Sequence, residues 1–193
     1  DIFPSRKSDT EYQSRSAELK IEAFHDLGAS RLVADLAGRT DADDAGRRIT
    51  EARQAYLRTP ISGFEIFIGN REVFWGNAES TNVVDVINQN DAAASEGAKA
   101  KLGAPSLSIE RYMDEGDLQL WFINSFREKT FNDADGHPSS GIPISSARYQ
   151  RDDGKKSNDF AGRLSTVSGD WDLAGSFFYG TARNPILQTI NNG

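Results

Sequence analysis

Five stretches of the chain alternate apolar and polar side chains with a period of two, and their polar positions carry full charges. In Ala17–Leu27, Ala17, Leu19, Ile21 and Ala23 alternate with Glu18, Lys20 and Glu22. A period of two places alternate side chains on opposite faces of a β-strand, whereas a helix would scatter these charges around its cylinder. In Arg31–Thr40, Leu32, Ala34 and Leu36 oppose Arg31, Asp35 and Arg39. In Phe64–Trp75, Phe64, Ile66 and Ile68 oppose Glu65, Phe67 and Arg71. Leu118, Leu120, Phe122 and Phe126 are expected to share one face of a strand over Leu118–Arg127. In Trp171–Tyr179, Trp171, Leu173, Phe177 and Tyr179 oppose Asp172, Ala174 and Ser176. Ile49–Thr59, Pro105–Tyr112 and Asp159–Val167 show the pattern more weakly, which brings the expected number of strands to eight. The one candidate helix is the Ala-rich stretch Ala92–Leu102.

The connections narrow the fold further. Gly28-Ala29-Ser30, Pro60-Ile61-Ser62-Gly63, Asp114-Glu115-Gly116-Asp117 and Ser168-Gly169-Asp170 are tight hairpin signals. Between them lie the long connections Asp41–Arg48, Gly76–Ala104 and Glu128–Asn158. Short and long connections alternate without exception. An antiparallel transmembrane β-barrel has this asymmetry, with short periplasmic turns and long extracellular loops. Strands of about 9–11 residues also suit a tilted crossing of a bilayer. The expectation is therefore an all-β chain, residues 1–193, forming one section of such a barrel. On this topology both ends of the chain fall on the extracellular side. Complete bacterial barrels keep their termini in the periplasm, so an internal piece of a larger barrel is expected.

Composition removes several other classes. No run approaches the ~20 apolar residues of a spanning helix. Three Trp, five Tyr and eleven Phe are too many large apolar groups for a disordered chain. The net charge of −7 comes without a basic patch, which argues against nucleic acid. Without cysteine there is neither a disulfide framework nor a thiolate metal site. Asp1-Ile2-Phe3-Pro4 does not read as a signal peptide.

Two stretches carry a family resemblance. Phe64–Asp91 runs from an apolar strand through Gly69, Trp75 and Gly76 to Val84, Asp85, Val86, Ile87 and Asn88. Phe160–Pro185 contains Gly169-Asp170-Trp171-Asp172-Leu173 and Gly180-Thr181-Ala182-Arg183-Asn184-Pro185. Phe126-Arg127-Glu128-Lys129-Thr130-Phe131 lies between them. Together, over about residues 49–185, they resemble a family of large, poorly characterised, porin-like β-barrel proteins of the Gram-negative outer membrane. Members of that family are longer than this chain. The resemblance implies an outer-membrane location and transport of small molecules, lipidic or aromatic compounds among them, in concert with an inner-membrane exporter.

The charged face is where function is expected. It carries Glu18, Lys20, Glu22, Arg31, Asp35, Arg39, Glu51, Arg53, Glu65, Arg71, Arg127, Arg163 and Asp172 as pore-lining candidates. Charges of both signs could set a field across a water-filled lumen. Equally, they could be cross-strand ion pairs that satisfy a polar interior. The connection 76–104, about 29 residues, is long enough to be functional. Val83, Val84, Val86 and Ile87 make it too apolar for a solvated loop, so it is expected to pack inside and constrict the pore. Asp85 and Asn88 are then candidate polar groups at the narrow point, and Trp75-Gly76 marks where the chain leaves the wall. Trp171, Tyr179, Phe177 and Tyr112 read as an aromatic girdle at the headgroup level, while Trp121 has the parity of the lumen.

Catalysis has little support. His25 and His137 are expected at opposite ends, and no Gly-x-Ser-x-Gly motif is present. Asn132-Asp133-Ala134-Asp135-Gly136 resembles a calcium loop, but Phe131 and Ile142 stand where it needs acids. No metal and no cofactor is expected. The expected partners are the lipid bilayer, lipopolysaccharide and a small-molecule solute. A structural or adhesive barrel and a soluble β-sandwich binding module are the rival readings.

Overall fold

The computed structural model describes residues 15–42, 45–75, 86–90, 101–129, 148–150, 156 and 158–186. Eight strands form one antiparallel sheet: β1 (Ser16–Leu27), β2 (Ser30–Asp41), β3 (Ile49–Ile61), β4 (Phe64–Arg71), β7 (Ala104–Met113), β8 (Gly116–Ile123), β9 (Asp159–Ser168) and β10 (Trp171–Tyr179). Their order in the sheet is their order in the chain. Two short strands, β5 (Gln89–Asn90) and β6 (Lys101–Leu102), pair with each other separately. The all-β antiparallel architecture expected from the alternation is thus the one observed.

Each hairpin closes through two residues. At Ser62-Gly63 both backbone φ angles are positive, 51° and 80°, the type I′ geometry whose twist matches that of the flanking strands. At Gly28-Ala29 and Gly169-Asp170 a glycine takes the positive φ at the first position. The four hairpin turns lie at one end of the sheet and the long connections leave from the other. We refer to these as the turn end and the loop end.

Register sorts the side chains onto two faces, with the charge of Arg111 standing among the apolar groups of one. Leu19, Ile21, Leu36, Leu57, Ile66, Ile68, Leu107, Ile109, Leu120, Phe122, Leu164, Leu173 and Phe177 fall on one face. That face is exposed, with Leu19 at 65% and Leu173 at 51%. The other face carries the charges and is where burial occurs: Glu110 is 1% exposed and Asp159 0%. The usual distribution, apolar groups inside and charges outside, is reversed.

A β-bulge preserves this sorting on β3. Asp35 pairs with Gln54 and Leu36 with Ala52, so Arg53 is an extra residue. Strict alternation would put Arg53 on the face opposite Gln54, Tyr56 and Arg58. The bulge lets the Arg53 guanidinium reach Glu18 (3.1 Å) on the charged face while Gln54, Tyr56 and Arg58 keep theirs.

Several expectations need correction. β4 stops at Arg71 and not Trp75, and β8 spans Gly116–Ile123 and not 118–127. Phe126 therefore does not share the outer face with Phe122. It lies beyond β8, buried, with its ring 4.8 Å from that of Tyr149. The chain leaves the sheet after Arg71, four residues before Trp75, and Gly76 lies outside the described residues. Tyr112 sits on the charged face, where its hydroxyl donates to Glu110 (2.6 Å), so it is not part of an outer girdle. Of the candidate helix Ala92–Leu102, Lys101 and Leu102 form strand β6, and the rest lies outside the described residues.

Candidate functional site

The charged face is held together by ion pairs across strands. At the loop end of β1–β3, Glu18 is shared by Lys20 (3.8 Å), Arg39 (3.9 Å) and Arg53 (3.1 Å). Glu51 pairs with Arg127 and lies 3.9 Å from Arg53. Further round, Arg71 pairs with the buried Glu110 and also reaches Ser108 Oγ (3.2 Å). The Arg71 guanidinium stacks over the Phe67 ring at 3.6 Å and faces Trp121 at 5.0 Å. On β8 and β9, Arg163 meets Asp117 at 3.5 Å. At the turn end Arg31 pairs with Asp26 (2.6 Å) and Arg58 with Glu65 (2.8 Å). Buried charges persist only when paired in this way.

At the loop end, segments from the long connections lie on this face. Val73, Trp75 and Ile87 form a buried cluster with Ala104, Trp121, Ile123 and Ala161, and Val86 and Phe178 pack against it. Trp121, Ile123, Ala161 and Phe178 all have the parity of the charged face. An Ile buried like Ile87 contributes about 1.5–3 kcal/mol. Polar contacts fix the same segments. The Asn88 side chain bonds both the N–H and the carbonyl of Val73. Trp75 Nε1 donates to Gln119 Oε1 on β8 (2.9 Å).

Arg183 joins the most parts. Its Nε donates to the Ile87 carbonyl (3.0 Å), and its Nη1 donates to Asp159 Oδ2 (2.7 Å) and the Thr181 carbonyl (2.9 Å). Gln89 Nε2 donates to the Arg183 carbonyl (2.9 Å), and the Thr181 N–H donates to Asp159 Oδ1 (3.1 Å). Burial pulls the Arg183 guanidinium below its ordinary pKa, against the opposing pull of Asp159. Burial likewise pushes the nearby Tyr149 hydroxyl up.

The structure brings the expected residues together on one face. Glu18, Lys20, Glu22, Arg31, Asp35, Arg39, Glu51, Arg53, Glu65, Arg71, Arg163 and Asp172 all lie there by register or by contact. Arg127 lies beyond β8 but turns back to Glu51 and the Ala52 carbonyl (3.0 Å). Asn88 is buried against the same face, while Asp85 and His137 lie outside the described residues. His25 has the parity of the apolar face and pairs with Leu32. Trp171 and Tyr179 are on the apolar face at opposite ends of β10, and Trp121 faces inward.

Sequence reading missed Asp26, Arg58, Glu110, Asp117, Asp159 and Arg183. Glu110 was legible from its parity with Ser106 and Ser108. Arg58 was hidden by the bulge, and Asp117 was read as part of a turn. Nothing local marked Arg183, whose partners are up to 96 residues away in sequence.

Removing one of these contacts gives a first prediction. Trp75→Phe keeps the ring buried but loses the bond to Gln119. It should cost about 0.5–1.5 kcal/mol in unfolding free energy, and Gln119→Ala should remove most of that difference.

No protein-family model, curated protein or solved structure matches this chain.

Proposed function

We propose that the chain forms part of the wall of a β-barrel in the outer membrane of a Gram-negative bacterium, and that small molecules pass through its polar interior. One observation carries this reading: the sheet is inverted, with an exposed apolar face and an opposite face of ion-paired charges, where Arg39, Arg53, Glu110 and Asp159 are buried. In water an apolar face of eight strands would be covered by a second layer. Among the described residues nothing covers it, and the packed segments lie on the other side. A bilayer is the solvent that such a face fits, since its hydrocarbon accepts Leu, Ile and Phe. Trp171 and Tyr179, about a strand's length apart, suit the two headgroup levels. Acidic residues in the long connections, Asp41, Asp43 and Asp44 among them, suit a lipopolysaccharide surface through divalent ions that bridge the two.

On this reading the segments carrying Val73, Trp75 and Ile87–Gln89 narrow the lumen from the loop end, as expected of the connection 76–104. Passage is then set by the space left beside them and by the charges around it. Coupling to an inner-membrane exporter is part of the proposal only through the family resemblance. The test is single-channel conductance of the protein in a planar bilayer, compared with a form in which residues 77–100 are replaced by a short Gly-Ser linker. We expect conductance in the first and larger conductance in the second. Silence in both would leave a structural or adhesive barrel and overturn the transport reading.

A further inference from the structure

Two shallow hollows adjoin each other on the apolar face of β7–β10. One, of about 320 Å³, is lined by Leu118, Leu120, Leu164, Gly175 and Phe177. The other, of about 270 Å³, is lined by Leu107, Ile109, Leu120, Phe122 and Phe160. Leu120 and Phe177 border both, so the two form one groove. Its shape comes from two glycines. Gly162 lets the Phe177 ring lie against the backbone, where a Cβ would stand 2.4 Å from that ring. At Gly175 a Cβ would meet nothing within 4 Å, so the space there is open. β7, β8 and β9 are each paired on both sides, so the groove is not the product of a free edge.

A charge stands at the turn end of this groove. Arg111 is the register partner of Leu118, which is in turn the partner of Leu164. Among the described residues of the sheet, it is the one Asp, Glu, Lys or Arg on the apolar face. Its guanidinium lies 5.3 Å from the centre of the Phe64 ring and makes no ion pair among the described residues, Asp114 and Glu115 of the adjoining turn included. An aromatic face holds a cation in place without neutralising it.

We infer that the groove binds an anionic phospholipid, with one acyl chain lying in it and the phosphate on Arg111. The groove alone accepts any hydrocarbon chain. Charge complementarity at its turn end selects the headgroup. A guanidinium presents a planar fork of donors that suits phosphate, and an Arg stem lies along apolar surface while its head reaches the interface. The length agrees: from Leu118 to Phe122 the groove follows four residues of strand, about 14 Å, and half of a bilayer's hydrocarbon core is about 15 Å. The site rests on the membrane reading above and deepens it by naming the lipid. With the turns on the periplasmic side, the occupant comes from the phospholipid leaflet and not from lipopolysaccharide.

The experiment is native mass spectrometry of the full chain in a non-ionic detergent with equal amounts of dioleoyl phosphatidylglycerol and dioleoyl phosphatidylethanolamine. The protein should retain phosphatidylglycerol about fivefold over phosphatidylethanolamine, the effect of one cation at a lipid surface. Arg111→Gln should erase the preference, with circular dichroism confirming that the sheet is kept. Gly175→Leu fills the open space and should lower retention of both lipids, whereas Ala23→Leu, on the same face of β1, should not. Equal retention of the two lipids by the parent protein, an unchanged ratio in Arg111→Gln, or equal retention by the two leucine variants would overturn the inference. Because retention is read without conductance, a silent pore that holds the lipid sinks only the transport reading, and a conducting pore without the preference sinks only this one.

Discussion

Leu120→Arg, in the middle of β8, should lower the unfolding free energy in lipid vesicles by about 2–4 kcal/mol, and Ile68→Arg on β4 should do the same. Both side chains are exposed and apolar, at 44% and 53%. In water an exposed Leu→Arg substitution is nearly neutral, within about 0.5 kcal/mol. In hydrocarbon the guanidinium loses its hydration and finds no partner, because every register neighbour of Leu120 on that face is apolar. Ala174→Arg, exposed on the other face of β10 and opposite Ser165, is the matched control and should cost less than about 0.5 kcal/mol. Denaturant titration of the vesicle-inserted protein measures all three. Equal costs on the two faces would remove the membrane from the account. Glu18→Arg is a poor control, because it would set a fourth cation among Lys20, Arg39 and Arg53.

Arg183→Met should be the most damaging single change at the loop end, costing about 3–5 kcal/mol. The loss is larger than that of one hydrogen bond because Asp159, fully buried, would lose the guanidinium that bonds it at 2.7 Å. The Ile87 and Thr181 carbonyls would lose their donor as well. Combining it with Asp159→Asn should recover a substantial part, since the stranded charge is then gone. Equilibrium unfolding of the single and double variants gives the coupling energy. If the narrowing segment is held in place by this contact, the single variant should also conduct more than the parent protein. A stability loss with unchanged conductance would separate anchoring from narrowing.

The alternation made the eight main strands legible because nearly all their charges fall on one face of this sheet, Arg111 being on the other. Glu18, Lys20 and Glu22 against Leu19 and Ile21 left one face assignment, and the register agrees with it. The hairpin turns were legible for a local reason, since Gly28, Ser62-Gly63 and Gly169 take conformations few other residues adopt. What escaped was non-local. Trp75 and Phe126 continue the parity of the strands before them, yet both have left the sheet, because the packing of Val73, Ile87 and Trp121 decides where those strands end. The bulge at Arg53 is invisible in a pattern where either phase of β3 reads as half apolar. The ion pairs were legible as a face but not as partners: no spacing links Arg183 to Asp159 and Ile87.

The two-residue turns also bear on how the sheet comes together. β1–β2, β3–β4, β7–β8 and β9–β10 each join strands with almost no loop to close, so each can form early and by itself, hairpins of this kind zipping in about 1–10 μs. Joining one pair to the next means bringing together segments separated by long stretches of chain, at a greater entropic cost. The kinetic unit is therefore the pair, and each pair arrives with both faces already sorted. Growth by such units adds strands two at a time, so a wall assembled this way gains or loses a hairpin more readily than a single strand.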